Sequence, residues 1–212
     1  MVRPRRGPAG LQQAQHRVEP VARRVGEKLG LAVPAGAWHA QRDAWVALGC
    51  AVAVLCGALG KIGRDLALLA QGEVGEVFEA RQAGRGTSSA MPHKRNPVAA
   101  MVAIAAATRA PHLAATLLAA MPQAHQRGLG DWQAELAVWP ALFLAAHGAV
   151  RALADAAAAG LDVDAARMRA NIDAHLRAIG KAGGPAADAD IDAAARRAGA
   201  AARAQLAALG RS

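Results

Sequence analysis

One short stretch of the chain holds most of the side chains that could do chemistry together. Thr87-Ser88-Ser89-Ala90-Met91-Pro92-His93-Lys94-Arg95-Asn96-Pro97 brings hydroxyls, cations, an imidazole and a carboxamide into one segment. Gly84 and Gly86 precede it, and Pro97 closes it. Backbone N–H groups in such a loop can converge on an anion, and Lys94 and Arg95 add fixed positive charge. Asn96 can donate to a carboxylate or a carbonyl, or cap the helix that follows. A free serine is a poor base and a poor nucleophile, and needs surroundings of this kind to be activated. The implied chemistry is an activated serine beside a bound carboxylate. The same residues also suit a surface loop with a helix N-cap, and the motif by itself leaves both readings open.

The elements that must hold this loop are helices. Alanine dominates the 212 residues, Tyr is absent and Phe occurs twice. Ala and Leu are the strongest helix formers, and β-branched clusters at strand spacing are missing, so the expected class is all-α, a long-helix bundle. Residues 40–71 give the clearest pattern. Trp45, Leu48, Val52, Leu55, Leu59, Ile62, Leu66 and Leu69 alternate at spacings of three and four, an unbroken apolar seam. Gly49, Gly57, Gly60 and Gly63 cost helix propensity and would let neighbouring helices approach closely. Lys61, Arg64 and Asp65 read as a solvated or intersubunit face.

Residues 71–86 turn back through Glu73, Glu76 and Glu79 into the loop. A second long helix follows Asn96-Pro97 and runs to about Ala120, with a kink expected at Pro111. A third runs from Asp131, a good N-cap, to about Ala159, with a bend expected at Pro140. Residues 160–164 read as a loop, and Asp164 caps a short helix to Ala178. The organisation expected is an arm and short helix over 1–36, a central bundle segment over 37–160 with the loop at 84–97, and a short helix with an Ala-rich tail over 161–212.

Composition narrows the function classes. The net charge of +9 comes almost entirely from Arg. These Arg are scattered, with no interleaved aromatics to stack bases, so nucleic acid is not the expected partner. Cys50 and Cys56 sit six apart in an apolar run and read as small buried hydrophobes without metal-ligand spacing. Residues 44–60 are uncharged but rich in Gly and Ala, and read as a buried bundle helix rather than a membrane span. Arg3, Arg5 and Arg6 lead into Pro and Gln instead of an apolar run, so the expected location is the cytoplasm.

The loop closely resembles the signature G-S-S-x-M-P-x-K-x-N of the fumarase/aspartase superfamily. Ser88, Ser89, Met91, Pro92, Lys94 and Asn96 match it, and Thr87 stands where the family usually has Gly. Fumarases, aspartases and the argininosuccinate and adenylosuccinate lyases usually carry a Glu four residues after the closing Pro, where this chain has Met101. The 3-carboxy-cis,cis-muconate cycloisomerase branch lacks that Glu as well. The surroundings also resemble that branch, in Trp38 to Asp43, Gly60 to Asp65, Gln71 to Glu76, Ala120 to Gln123, Arg127 to Glu135 and Arg167 to Asn171.

The resemblance implies an isomerase of the intramolecular-lyase kind, working without a cofactor or a metal on a small di- or tricarboxylate in aromatic-compound degradation. It implies Ser88 as the general acid or base, with Ser89 supporting the loop. Lys94 and Asn96 would bind a substrate carboxylate and Met91 would contribute backbone. Gln41 and Arg42 are weaker substrate-contact candidates, and for Arg42 a salt bridge at a helix start is an equal alternative. His39, His125 and His147 stand alone and read as structural or surface groups. Family members assemble as tetramers whose active sites draw on three subunits, and their earlier half supplies a His-containing motif and a Thr/Ser-rich loop. The chain therefore reads as an incomplete chain, one catalytic segment of three, in a homotetramer or joined by a chain that supplies the rest. An adenylosuccinate lyase-like enzyme and a non-catalytic helical partner of a longer homologue are the alternatives.

Overall fold

The computed structural model describes residues 20–33, 39–82, 84–88, 91, 94–124, 128–181 and 185–209. A short helix α1 covers 20–29. Helix α2 runs Asp43–Leu69, strand β1 Val77–Glu79, helix α3 Val98–Ala119 and helix α4 Asp131–Ala159. Strand β2 follows at Leu161–Val163, then α5 at Ala165–Ala178 and α6 at Pro185–Leu209. Among the described residues the fold is all-α apart from one small ribbon. At 1.5 Å per residue α2 is roughly 40 Å long. The helices α3 and α4 continue through Pro111 and Pro140.

The ribbon is the main departure from the sequence reading. Residues 160–164 are not simply a loop: β2 pairs antiparallel with β1, with Val77 opposite Val163, Phe78 opposite Asp162 and Glu79 opposite Leu161. Strands of three residues are too short to show an alternation, and their partners lie far apart in sequence. Asp164 behaves as expected, accepting from the Arg167 N–H at 2.9 Å to cap α5.

The chain divides into two compact units, residues 1–51 with 112–142, and residues 52–111 with 143–212. In the first, Val46, Leu117, Val138 and Leu142 are buried. Gly49 lets α2 close on α3, because a Cβ there would stand 2.5 Å from Leu117 Cδ1 and 3.3 Å from the Trp139 ring. Trp45 meets Trp139 edge-on, with ring centroids 5.6 Å apart.

In the second unit the core is Ala99, Ala103, Ala106, Ala149, Leu153 and Ala156, with Leu59 and Leu66 packed on it. Side chains this small form a core only if the helix backbones come close together, which maximises contact in place of bulk. Gly60 and Gly63 permit that: a Cβ on Gly60 would overlap Ala107, and one on Gly63 would lie 2.8 Å from the Ala100 carbonyl oxygen. Gly57 meets nothing and faces open space.

The Leu-rich seam of α2 is therefore only partly covered by its own chain: Val52, Leu59, Leu66 and Leu69 are half-buried. Leu48, Leu55 and Ile62 are 44 %, 45 % and 48 % exposed, while Gly49, Cys56, Gly60 and Gly63 beside them are buried. Cys50 is half-buried and Cys56 fully buried. Burial pushes the Cys56 thiol pKa up, against a smaller opposing backbone hydrogen bond. Among the described residues α2, α3 and α4 are each long and apolar enough to cross a membrane by length and composition, and about a third or less of each apolar window is covered.

Candidate functional site

The signature loop is closed on itself by backbone. Thr87 pairs antiparallel with Arg95, and Gln82 with Arg85. The Asn96 N–H donates to the Gly86 carbonyl at 2.9 Å. Gly86 takes φ +72°, and a Cβ there would sit 2.7 Å from the Asn96 carbonyl oxygen, so both conformation and space call for glycine. Thr87 occupies a bridge pairing, a place that suits a β-branched residue. That accounts for its tolerance where the signature has Gly.

Ser88 is half-buried, and its Oγ accepts from the Met91 N–H at 3.2 Å. The loop itself thus fixes the rotamer of the first signature serine. Met91 is 42 % exposed. Lys94 is exposed and has no ion pair among the described residues. Asn96 is half-buried. Lys94 and Asn96 line one open cleft together with Arg95, Arg85, Thr87 and Glu79, and Ser88 is not among its lining residues. Ser89, Pro92 and His93 lie outside the described residues. Positive groups outnumber negative ones along this cleft, which suits a carboxylate.

Two residues that the sequence reading named without their partners hold this loop. Glu79 at the end of β1 accepts the Ala99 N–H at 3.1 Å through Oε2 and the Ala100 N–H at 3.0 Å through Oε1. Its carboxylate satisfies two orphan donors of the first turn of α3 and meets the positive end of the helix dipole. The capping that Asn96 could have supplied thus comes from Glu79 of β1. Arg95 donates to the Glu79 carbonyl at 2.5 Å and to Asp162 Oδ2 at 2.5 Å, with its guanidinium 4.7 Å from the Phe78 ring centre. Neither partnership leaves a mark in local sequence, since each spans at least sixteen positions.

Two of the resembling stretches prove to be one structural device. Arg167 donates to the carbonyls of Val74 and Glu73, both at 3.0 Å. Asn171 donates to the Val74 carbonyl at 2.9 Å and to Glu76 Oε1 at 2.8 Å. Helix α5 therefore grips the turn that feeds β1, and Gly75 makes that turn at φ +64°.

Gln41 and Arg42 belong to the other compact unit. Gln41 is exposed. Arg42 donates through Nε to Glu135 Oε1 at 3.0 Å and through Nη2 to Oε2, a bidentate ion pair. Glu135 also accepts from Trp139 Nε1 at 2.9 Å and Gln123 Nε2 at 3.2 Å. Burial pushes the Glu135 carboxyl pKa up, but the bonds from Arg42, Trp139 and Gln123 together outweigh it and hold the carboxyl below its usual value. Of the three lone histidines, His39 packs its ring against Trp132 at 6.0 Å, His147 is exposed, and His125 lies outside the described residues.

The sequence profile of the family described as Lyase matches residues 4–111. The chain belongs to that lyase family. Its helical architecture matches the helical domain of the fumarase/aspartase fold. The 3-carboxy-cis,cis-muconate cycloisomerase of Pseudomonas aeruginosa is 54 % identical over 153 residues, covering 72 % of this chain and 33 % of that protein. The enzyme of the same name from Pseudomonas putida is 52 % identical over 154 residues, covering 73 % and 36 %. The crystal structure of the 3-carboxy-cis,cis-muconate lactonizing enzyme from Pseudomonas putida superposes with a TM-score of 0.68 at 50 % identity, over 78 % of this chain and 36 % of that one. This lyase-family chain spans about a third of the length of the curated relatives it matches.

Proposed function

We propose that the chain supplies the signature-loop segment of a 3-carboxy-cis,cis-muconate cycloisomerase, an intramolecular lyase that interconverts the muconate and its carboxymuconolactone. The observation that carries this reading is the loop itself. A serine whose hydroxyl is bonded within the loop lies in the same closed loop as an exposed lysine and a half-buried asparagine, in a chain similar to two cycloisomerases of that name.

In lactone closure a carboxylate oxygen adds to the β-carbon of a conjugated double bond. Negative charge then moves through the α-carbon onto the adjacent carboxylate. A proton delivered to the α-carbon completes the step, and ring opening runs the same path backwards. The intermediate carries two negative charges on one carboxyl group. Fixed donors in the right place stabilise it without reorganising, which is the largest contribution in many such sites. In this reading Lys94 and Asn96 hold that carboxylate, Ser88 exchanges the proton, Met91 offers backbone and Ser89 supports the loop. Arg42 is structural, since Glu135 already occupies its fork.

Leu48, Leu55 and Ile62 stand half-exposed along α2. An apolar surface of that length calls for cover, and we assign it to other copies of the chain in a water-soluble, cytoplasmic homotetramer. The reaction is tested by following 3-carboxymuconate in the ultraviolet. The chain is assayed alone and mixed with a chain carrying the remaining segments of the Pseudomonas putida enzyme. Turnover that falls by about a hundredfold or more in Ser88→Ala supports the reading. No consumption in either mixture ends it.

A further inference from the structure

Arg95 occupies a variable position of the signature, between the two residues proposed to hold the substrate carboxylate. A cation there would be expected to face the substrate. Arg95 does line the cleft beside Lys94 and Asn96, but its guanidinium is committed to the ribbon. It donates to the Glu79 carbonyl and to Asp162, both at 2.5 Å, and lies over the face of Phe78. These partners come from β1 and β2, at paired positions of the ribbon, since Phe78 stands opposite Asp162. Glu79 itself caps α3, the helix that continues directly from the loop. The loop is thus fixed to one small body from both ends of its second half.

We propose that Arg95 is a positioning residue, which sets the aim of Lys94 and Asn96 by locking their backbone to the β1–β2 ribbon and does not itself touch substrate. This rests on the reading that Lys94 and Asn96 bind a carboxylate. The chemistry suits Arg and not Lys. One nitrogen, Nη2, donates both bonds while the flat guanidinium lies over Phe78, whereas an ammonium that met the same two acceptors has no flat surface to lay on the ring. Asp162 is 56 % exposed and Arg95 21 % exposed, so the ion pair alone would be weak in water. The carbonyl bond and the ring contact make the arrangement cooperative.

The Asn96 N–H, bonded to Gly86 within the loop, reports on it directly. Hydrogen exchange at this amide is measured in the intact chain and in Arg95→Gln, Arg95→Lys, Asp162→Ala and the double variant Arg95→Gln/Asp162→Ala. Each single change should speed exchange roughly tenfold, the scale of one lost charge-assisted bond, and the double variant should go little further than Arg95→Gln. Wild-type exchange in Asp162→Ala, or full additivity in the double variant, overturns the proposal. In the turnover assay Asp162→Ala and Arg95→Lys should lower kcat about as much as Arg95→Gln does. Near-wild-type turnover in Arg95→Lys, or a loss confined to KM in Arg95→Gln with none in Asp162→Ala, would make Arg95 a substrate ligand and also overturn it. If the wild-type chain has no turnover at all, the assigned reaction fails while the Asn96 amide still decides the role of Arg95.

Discussion

Arg42 and Glu135, ninety-three positions apart, form a bidentate ion pair with side chains only 10 % and 3 % exposed. Glu135 is the one buried charged residue of the described core, and Trp139 and Gln123 supply its remaining donors. The pair joins the residue just before α2 to the second turn of α4. Breaking one side leaves a desolvated charge, which costs far more than the intact pair contributes. Arg42→Ala should destabilise the chain by about 3–5 kcal/mol, read as a lowered midpoint in urea denaturation. A loss below about 1 kcal/mol would mean that water reaches Glu135 freely.

The same pair sets an acid limit. The Glu135 carboxyl is held below its usual value in the folded chain. Its stabilising contribution is therefore complete at neutral pH, above the unfolded value near 4.3, and is lost as pH falls through the depressed folded value. Thermal midpoints between pH 7 and pH 3 should drop more steeply in the wild type than in Glu135→Gln. Parallel curves for the two would remove Glu135 from the acid response.

Glu79 gives a second stability prediction with a local signature. Glu79→Ala removes the acceptor for two N–H groups of α3 and should cost about 1–2 kcal/mol, like the loss of other helix N-caps. Amide exchange should rise first at Ala99 and Ala100. Unchanged protection at those two amides would show that another group takes over the cap.

The glycines of α2 should respond in opposite directions. Gly57→Ala meets nothing and should stabilise by up to about 1 kcal/mol, the helix-propensity difference. Gly60→Ala would place its methyl on Ala107 and push α2 from α3, at a cost of about 1–3 kcal/mol. Thermal melts of the two variants check this. Equal shifts would mean that the two helices are free to part.

Much of this was legible in the sequence because it is local. Helix α4 begins and ends where Asp131 and the Ala run ending at Ala159 place it, and α5 is capped by Asp164 as its side chain predicts. The signature residues were legible because their chemistry is unlike everything around them. The apolar spacing of α2 was real too, but spacing reports only that a face is apolar, not what covers it. That the chain buries Gly49, Gly60 and Gly63 and leaves the Leu row half-open depends on how closely the neighbouring backbones approach.

The sequence by itself determined a chain of long helices and a polar, Gly- and Pro-bounded loop between two of them, since propensity, caps and motif all act within a few residues. Only the tertiary structure decided what holds that loop. Glu79 reaching α3 and Arg95 reaching Asp162 across the ribbon, like the Arg42–Glu135 pair of the other unit, are contacts between segments distant in sequence. A charge carries no local record of its partner, because the pairing energy exists only once the backbone has brought the two within a few ångströms.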